Sequence, residues 1–336
     1  MLPPVSICIP VYNGASYLEA ALASAIRQTW ANLEILVVDD GSNDASVEII
    51  QRFTAGDRRI RLVRNDQNLG LVCNWNRCLE LAQGEWIKFL FQDDLLESNC
   101  IEEMLAANTA NHDLVTCART FQIEDDADPE QRRFFERKVV TLASLGIRTG
   151  AVEPARMLTI LDRQMPTINV IGEPTVVLFR KSLIRRYGLF SPTLRQLCDW
   201  EFWLRIVVNQ PFTYVDRPLV RFRIHGQAAS AQNLGRRFLS QGLDSLHLLV
   251  RLQNEPVFSP CRNHNPRRYR ALLVDKLLET DKIARDPDLQ PLWTAELCQQ
   301  PSLRQALNQL GWTDRGAAAM RRIFWQCRRR FQPGRR

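Results

Sequence analysis

Two adjacent carboxylates follow a strand-like stretch of the sequence. Residues 86–91 are mostly apolar and have the length of a buried β-strand, and Asp93 and Asp94 follow after one glutamine. Ligands of open α/β sheets bind beyond the carboxyl ends of the strands, so these carboxylates are expected to face a cleft. Because neighbouring negative charges repel, a hard divalent cation such as Mg²⁺ or Mn²⁺ is a natural counter-ion. The alternative is that both residues cap a helix at residues 97–111.

Two further acidic pairs stand at the ends of predicted elements. Asp39 and Asp40 follow a second apolar run, residues 33–38, and Asp199 and Glu201 begin an aromatic-rich helix. A carboxylate beside a bound hydroxyl group can accept its proton in a reaction. In purely structural roles, Asp40 would close a turn and Asp199 would cap its helix.

A histidine and a second acidic run complete the titratable candidates. His225 follows the last predicted strand, where it is either a ligand or a hydrogen-bonded structural residue. Asp125, Asp126 and Asp128 lie close together, but no predicted strand leads to them. We therefore interpret this run as a solvated loop and not as a metal site.

The elements that must position these residues alternate between strand and helix. Apolar β-rich runs and amphipathic helices follow each other with short links, which predicts a doubly wound, mostly parallel sheet flanked by helices. Charged residues at 124–150 interrupt the pattern and predict a surface insertion. Strand signals stop near residue 232, and helices are predicted for residues 236–253, 267–284 and 316–331.

Composition narrows the class of protein. The chain has 336 residues, 45% of them hydrophobic, and a formal net charge of +7. Its nine cysteines include no C-x-x-C pair, so neither a zinc site nor a regular disulfide framework is indicated. We expect a cytoplasmic protein, because the sequence shows no signal peptide and no apolar stretch of about 18 residues that could span a membrane.

Taken together and in order, these pieces resemble the motifs of the family 2 glycosyltransferases, inverting enzymes with the GT-A fold. The resemblance covers roughly residues 4–230, and the helical C-terminal region lies outside it. The matching segments are Ile9-Pro10-Val11-Tyr12-Asn13-Gly14, Val37-Val38-Asp39-Asp40-Gly41-Ser42, Asn68-Leu69-Gly70, Gln92-Asp93-Asp94, Asp199-Trp200-Glu201-Phe202-Trp203-Leu204-Arg205 and Arg223-Ile224-His225.

The resemblance implies a domain organisation. Residues 1–231 would form the GT-A domain, with a nucleotide-binding half at 1–118 and an acceptor half at 119–231 that contains the insertion 124–150. Residues 232–336 would form a helical, basic C-terminal region.

The resemblance also implies a donor site. Pro10, Tyr12 and Asp40 would hold the nucleotide base, with the Tyr12 ring against its face and Asp40 accepting its imide proton. Asp93 would contact the ribose. This arrangement prefers uracil or thymine, and therefore a UDP- or dTDP-sugar.

Metal and catalytic roles follow from the same resemblance. Asp94 would bind Mg²⁺ or Mn²⁺, although Gln92 stands at the first position of the family's D-x-D motif. His225 matches a late histidine that touches the metal or diphosphate in some members. Asp199 aligns with the catalytic base, and Glu201 is the second candidate, although two helical residues further on it would face away.

Three other classes of protein would need sequence features that differ from those of this chain. A nucleotidyltransferase would need a glycine-rich phosphate loop after the first strand, which residues 12–16 do not provide. A catalytically silent nucleotide-sugar-binding protein would lose Asp94 or Asp199, and both are present. A dinucleotide oxidoreductase would show G-x-G-x-x-G after a strand, and no predicted strand of this sequence is followed by that motif. We therefore expect a glycosyltransferase of polysaccharide, lipopolysaccharide or other glycoconjugate synthesis, acting on a glycan or lipid-linked acceptor.

The end of the chain carries a basic amphipathic pattern. Residues 315–336 contain eight arginines and no acidic residue, and apolar side chains recur at helical spacing. This pattern predicts peripheral contact with the inner face of the plasma membrane, or alternatively a helix packed on the core with solvated arginines. Nucleic-acid binding is disfavoured because no aromatic stacking platform accompanies the arginines.

Overall fold

A computed structural model describes residues 2–137, 139–228 and 237–285, with the backbone alone for residues 237–241 and 281–285. The predicted helix at 316–331 and the basic tail lie outside the described residues. The chain divides into two compact units. The first comprises Met1–Met157, Ile168–Pro192 and Asp199–Gln232, and the second Leu158–Thr167, Thr193–Cys198 and Asn233–Arg336.

The first unit begins with alternating strands and helices, as the periodicity predicts. All seven residues of the first strand are buried, as expected for a strand covered on both faces. The elements are β1 (Val5–Val11), α1 (Ala15–Ile26), β2 (Leu33–Asp39), α2 (Ser46–Gly56), β3 (Ile60–Arg64), α3 (Leu71–Leu81) and β4 (Trp86–Phe89).

Shorter and more varied elements follow β4. Two 3₁₀ turns, Ala143–Leu145 and Pro174–Val176, lie among them. The strands and helices are β5 (Leu95–Leu96), α4 (Cys100–Ala107), β6 (Leu114–Ile123), α5 (Pro129–Arg137), β7 (Gly150–Val152), α6 (Pro154–Arg163), β8 (Val177–Arg180), α7 (Ser182–Tyr187), α8 (Cys198–Val207) and β9 (Phe212–Ile224).

Within the described residues the strands form one mixed sheet in the order β3-β2-β1-β4-β8-β6-β9-β5, with β7 paired to β9. Strands β1 to β4 pair in parallel, and β8 is antiparallel to both β4 and β6. Since β9 is parallel to β6, the carboxyl ends of β1, β2, β4, β6 and β9 lie at the same edge. Strand β8 starts at that edge, so the segment before it reaches the same place.

Two expectations from the sequence are corrected here. Helix α4 begins at Cys100, after the short strand β5, so Asp93 and Asp94 do not cap it. Residues 212–215 and 219–224, which the sequence pattern predicts as two separate strands, form a single strand, β9, which continues through Pro218 because its pairing with β6 shifts register there.

The described part of the second unit is mainly helical. Its longer elements are α9 (Arg237–Asn254), α10 (Ser259–His264) and α11 (Pro266–Arg285). The buried Asp244 carboxylate of α9 accepts three backbone N–H bonds, from residues 195–197, at 2.6–3.1 Å. Burial raises the pKa of Asp244 to about 6, against the opposing effect of these bonds. No described helix is both long and apolar enough to cross a membrane.

Candidate active site

The loop after β1 is fastened by side chains from two neighbouring loops. Four consecutive amides, those of residues 12–15, each donate to a side-chain oxygen at 2.9–3.0 Å, and the acceptors are, in order, Gln92, Ser42, Ser46 and Asp44. A Cβ atom at Gly14 would lie 2.4 Å from the Gln92 Oε1 atom, so any other residue there would displace the Gln92 side chain from the Tyr12 amide. Each amide has one hydrogen to donate, so this helix N-terminus does not present a free phosphate-binding loop.

Asp40 lies beyond β2 beneath the loop that follows β3. Its carboxylate accepts N–H bonds from Leu69 at 2.8 Å, Gly70 at 2.9 Å and the Asn65 side chain at 2.8 Å. Gly70 has a φ of +84°, which favours glycine. The Asn-Leu-Gly motif therefore wraps around Asp40. Three of about four acceptor positions are filled, which leaves one position on Oδ2.

The preceding residue, Asp39, is fully buried, and its carboxylate hydrogen-bonds to the loop after β2 and to the end of β3. Its Oδ2 atom accepts from the Ser42 amide and from the Arg64 Nε atom, both at 3.2 Å. Its Oδ1 atom is buried without a hydrogen-bond partner among the described residues. Nearby, Pro10 is buried in β1, whereas the Tyr12 side chain is 46% exposed. An aromatic ring this exposed at the sheet edge is available to stack on a ligand.

Asp94 is buried at the end of β4 with both oxygens engaged. Its Oδ1 atom accepts from the Arg223 amide at 3.0 Å, and its Oδ2 atom accepts from the Thr175 hydroxyl at 2.7 Å. Burial and the nearby charge of Asp93 raise the pKa of Asp94 well above its ordinary range. A bound cation would relieve this electrostatic cost.

Arg223 of β9 hydrogen-bonds to both residues of the Asp93-Asp94 pair, to the backbone of Asp93 and to the carboxylate of Asp94. Its Nε atom donates to the Asp93 carbonyl at 2.9 Å, and its Nη1 atom pairs with Glu124 at the end of β6. Its guanidinium lies 4.7 Å from the Tyr17 ring centroid. Three strand ends and one helix thus meet around this arginine. In the sequence, only its place in the Arg-Ile-His motif indicates such a role.

His225 contacts the Asp93 carboxylate through its Nε2 atom, which lies 3.0 Å from the Asp93 Oδ2 atom. The imidazole is 4% exposed and packs 4.4 Å from the Tyr17 ring, centroid to centroid. Its Nδ1 atom has no partner among the described residues. No group of three His, Cys, Asp or Glu side chains in the described chain encloses a common point suited to a metal ion.

Asp199 lies in the first turn of α8 and remains partly exposed. Its Oδ1 atom accepts from the Trp200 amide at 2.6 Å, and its Oδ2 atom accepts from the Asn169 side chain at 2.9 Å. Burial, and then the negative charge of Glu173, raise the pKa of Asp199 to about 7, although both hydrogen bonds lower it. A carboxylate with this pKa is suited to accept protons near neutral pH.

Glu201 points elsewhere, as its position two residues further along the helix predicts. Its carboxylate is fully buried and pairs through both oxygens with Arg205, at 2.9 Å each. Arg205 also donates to the carbonyls of Tyr187 and Leu189. Glu201 therefore joins α8 to the loop after α7.

The Glu201→Gln variant is expected to be less stable by about 3 kcal/mol, because Arg205 loses its buried counter-charge. The acid side of the pH–rate profile should not move, since that side is expected to report Asp199. Thermal unfolding and kcat/KM between pH 5 and 9 measure both effects. Transfer that is lost here but retained in Asp199→Asn would make Glu201 the base.

A segment that sequence analysis missed connects two of the candidate carboxylates, Asp94 and Asp199. We call residues 169–175 the bridging segment: Asn169 binds Asp199, and Thr175 binds Asp94. Between them, Glu173 pairs with the buried Arg119 side chain at 2.9 Å and raises the pKa of both aspartates. The stretch carries no recognised motif, so only its position before β8 could have indicated a role.

Comparison with known proteins defines the family. A family model described as glycosyl transferase family 2 matches residues 6–188, more than half of the chain. The chain therefore belongs to glycosyltransferase family 2.

One sequence relative is the uncharacterised protein MT1568 of Mycobacterium tuberculosis. It is 33% identical over 218 residues, which cover 65% of this chain and 66% of that protein. The match thus spans slightly less than two thirds of the relative's length.

Solved structures show the same fold. TarS of S. aureus in complex with UDP has a TM-score of 0.59 at 15% identity, over 96% of this chain and 88% of that chain. The mannosyltransferase PcManGT of Pyrobaculum calidifontis, in complex with GDP-Man and Mn²⁺, has a TM-score of 0.52 at 15% identity, over 99% and 89%. These matches establish the GT-A fold that the sequence predicts.

Proposed function

We propose that this protein is an inverting, metal-dependent glycosyltransferase that moves a sugar from a UDP- or dTDP-sugar to a hydroxyl group of a glycan or lipid-linked acceptor. The observation that carries the proposal is the bridging segment, which hydrogen-bonds to both Asp94 and Asp199. The acceptor hydroxyl and the donor diphosphate must lie on opposite sides of one anomeric carbon, and the bridging segment links the residues proposed to act on each.

The donor base is assigned to the edge formed by β1 and β2. The exposed Tyr12 ring would cover one face of the base, and the open acceptor position of Asp40 would take the imide proton of uracil or thymine. Asp93 would bind the ribose. Binding of UDP by TarS and of GDP-Man by PcManGT shows that relatives of this fold accept different bases, so the assignment depends on Asp40.

The residues after β4 fit a hard divalent cation. Asp94 and His225 would hold Mg²⁺ or Mn²⁺, because carboxylate oxygens suit these hard ions and His225, whose Nε2 atom contacts the neighbouring Asp93, keeps a buried Nδ1 atom without a partner among the described residues. Diphosphate oxygens and water would complete the coordination. When bound, the ion stabilises the negative charge that develops on the departing diphosphate.

Asp199 would act as the general base. The acceptor oxygen attacks the anomeric carbon, its proton passes to Asp199, and the bond to the diphosphate oxygen breaks with its electron pair leaving on the nucleotide. One displacement of this kind inverts the anomeric configuration. A nucleotidyltransferase is disfavoured further, because the amides of residues 12–15 are already engaged by side chains.

A panel of nucleotide sugars tests the proposal. UDP- or dTDP-sugars with Mn²⁺ should raise the unfolding temperature, because bound donor at about 100 times its Kd stabilises the native state by about 2.7 kcal/mol. Nucleotide release should then depend on acceptor and be abolished by EDTA. Preferential stabilisation by GDP-sugars would contradict the role of Asp40, and release that EDTA does not affect would contradict the metal role of Asp94.

A further inference from the structure

The side chain of Asn169 is oriented unambiguously by its own segment. Its Oδ1 atom accepts the amides of Ile171 at 3.1 Å and Gly172 at 2.8 Å. Its Nδ2 atom donates to the Gly172 carbonyl at 3.0 Å and to the Asp199 carboxylate at 2.9 Å. Rotating the amide by 180° would set Nδ2 against two N–H donors, so an N–H must face Asp199.

The surroundings of the bridging segment make this orientation rigid. Gly172 has a φ of +109°, and a Cβ atom there would lie 2.5 Å from the Arg119 Nη1 atom. Arg119 in turn pairs with Glu173 at 2.9 Å. At the far end of the segment, the buried Lys88 donates to the Thr175 carbonyl. Glu173 and Thr175 are therefore both held by charged groups from neighbouring strands.

The donors around Asp199 distinguish its two protonation states. Asn169 and the Trp200 amide each present an N–H, one to each carboxylate oxygen. A carboxylate can accept both bonds, whereas a protonated carboxyl has to place its own hydrogen on one of these oxygens. The pair of donors thus favours ionised Asp199, in opposition to burial and to the charge of Glu173.

We propose that Asn169 is the positioning residue of this site, whose amide holds the Asp199 carboxylate in the ionised form and orientation that proton acceptance requires. This inference rests on the proposed role of Asp199. It adds a specific function to the bridging segment: Asn169 acts through the carboxylate of Asp199, while Thr175 hydrogen-bonds to Asp94 at the other end.

Two substitutions distinguish the effect of the N–H group that Asn169 donates to Asp199 from the effect of its hydrogen bonds within the bridging segment. Asn169→Asp keeps an oxygen for the Ile171 and Gly172 amides but replaces the donor facing Asp199 with a negative charge. Asn169→Ala removes both functions. The acid side of the pH–rate profile should move upward by about one pH unit in Asn169→Ala, because a hydrogen bond to a charged group and one pKa unit have similar free energies. The shift should be larger in Asn169→Asp.

Asn76 provides a matched control within the same unit. Its side chain exchanges two hydrogen bonds with the backbone of Phe190, at 2.9 and 3.0 Å, and among the described residues it hydrogen-bonds to none of the site's carboxylates. Asn76→Ala should lower the unfolding temperature without moving the pH–rate profile. If Asn169 were merely structural, Asn169→Ala would behave like Asn76→Ala and lower the unfolding temperature without moving the pH–rate profile.

A direct titration distinguishes failure of this inference from failure of the proposed function. The side-chain carboxyl carbon of Asp199, assigned by its absence in Asp199→Asn, can be followed by ¹³C NMR from pH 4 to 10 in each variant without substrate. An upward shift of its pKa in both Asn169 variants supports the inference even if the wild type transfers no sugar. An unchanged pKa overturns it, whatever the activity.

Discussion

The Asp199→Asn variant is expected to lose sugar transfer by about three to four orders of magnitude while it still binds the donor. General-base catalysis contributes about 10²–10⁴-fold, and the amide cannot accept the proton of the acceptor hydroxyl. Misorientation adds to this loss, because Asn169 and the Trp200 amide both present N–H groups and an asparagine side chain has only one oxygen. Transfer rates and donor titration by calorimetry measure the two quantities separately.

The pH dependence of the wild type provides an independent check on the same residue. A base with a pKa of about 7 must be deprotonated to act, so kcat/KM should rise through pH 7 and fall about tenfold per unit well below it. For stability the sign is opposite: the raised pKa means that stability from Asp199 is fully present below the unfolded value of about 4 and is lost as pH rises through 7.

The matched control for Asp199→Asn is Asp113→Asn. It makes the same chemical change at the amino end of β6, whereas the candidate site lies at the carboxyl ends of the parallel strands. Asp113 precedes β6 and pairs with Arg180 at 3.2 Å. This variant should retain both transfer and the pH profile. Wild-type transfer rates in Asp199→Asn at pH 8 would contradict the assignment of the base.

The Asp94→Asn variant is expected to fold normally, to lose Mn²⁺-dependent donor binding and to transfer sugar about 10³-fold more slowly. Folding should survive because an asparagine oxygen can still accept from the Arg223 amide while its Nδ2 group donates to the Thr175 hydroxyl, which can reverse its role. The loss of rate follows from several kcal/mol of charge stabilisation, at 1.36 kcal/mol per tenfold.

Calorimetric titration of UDP with and without Mn²⁺ measures this effect without relying on catalysis. In the wild type and in Asp113→Asn, Mn²⁺ should strengthen UDP binding, and in Asp94→Asn it should not. Equal enhancement by Mn²⁺ in all three proteins would show that the ion is held elsewhere.

The first half of the fold was predictable because its signals are local. Strands β1, β2 and β4 are continuous apolar runs that end in the motif residues, so the position of Asp40 and Asp94 at one edge follows from the alternation of strand and helix. The resemblance in motif order supplied Asp199, whose helix begins within one residue of the predicted start.

The bridging segment was not predictable because its contacts are distant in sequence. Asn169 reaches Asp199 across 30 residues, and Thr175 reaches Asp94 across 81. These pairings depend on β8 running antiparallel between β4 and β6, which no local pattern encodes. Likewise, the sequence alone left open that Asp93 and Asp94 cap a helix, because the two-residue strand β5, which lies between them and α4, is too short to be recognised from its pattern.

The anomeric configuration of the first product tests the central claim most directly. With the accepted nucleotide sugar, Mn²⁺ and an acceptor, ¹H NMR during early turnover reports the coupling constant of the newly bonded anomeric proton. A single displacement assisted by Asp199 predicts a configuration opposite to that of the donor. A product with the donor's configuration would contradict a mechanism with one displacement and one base.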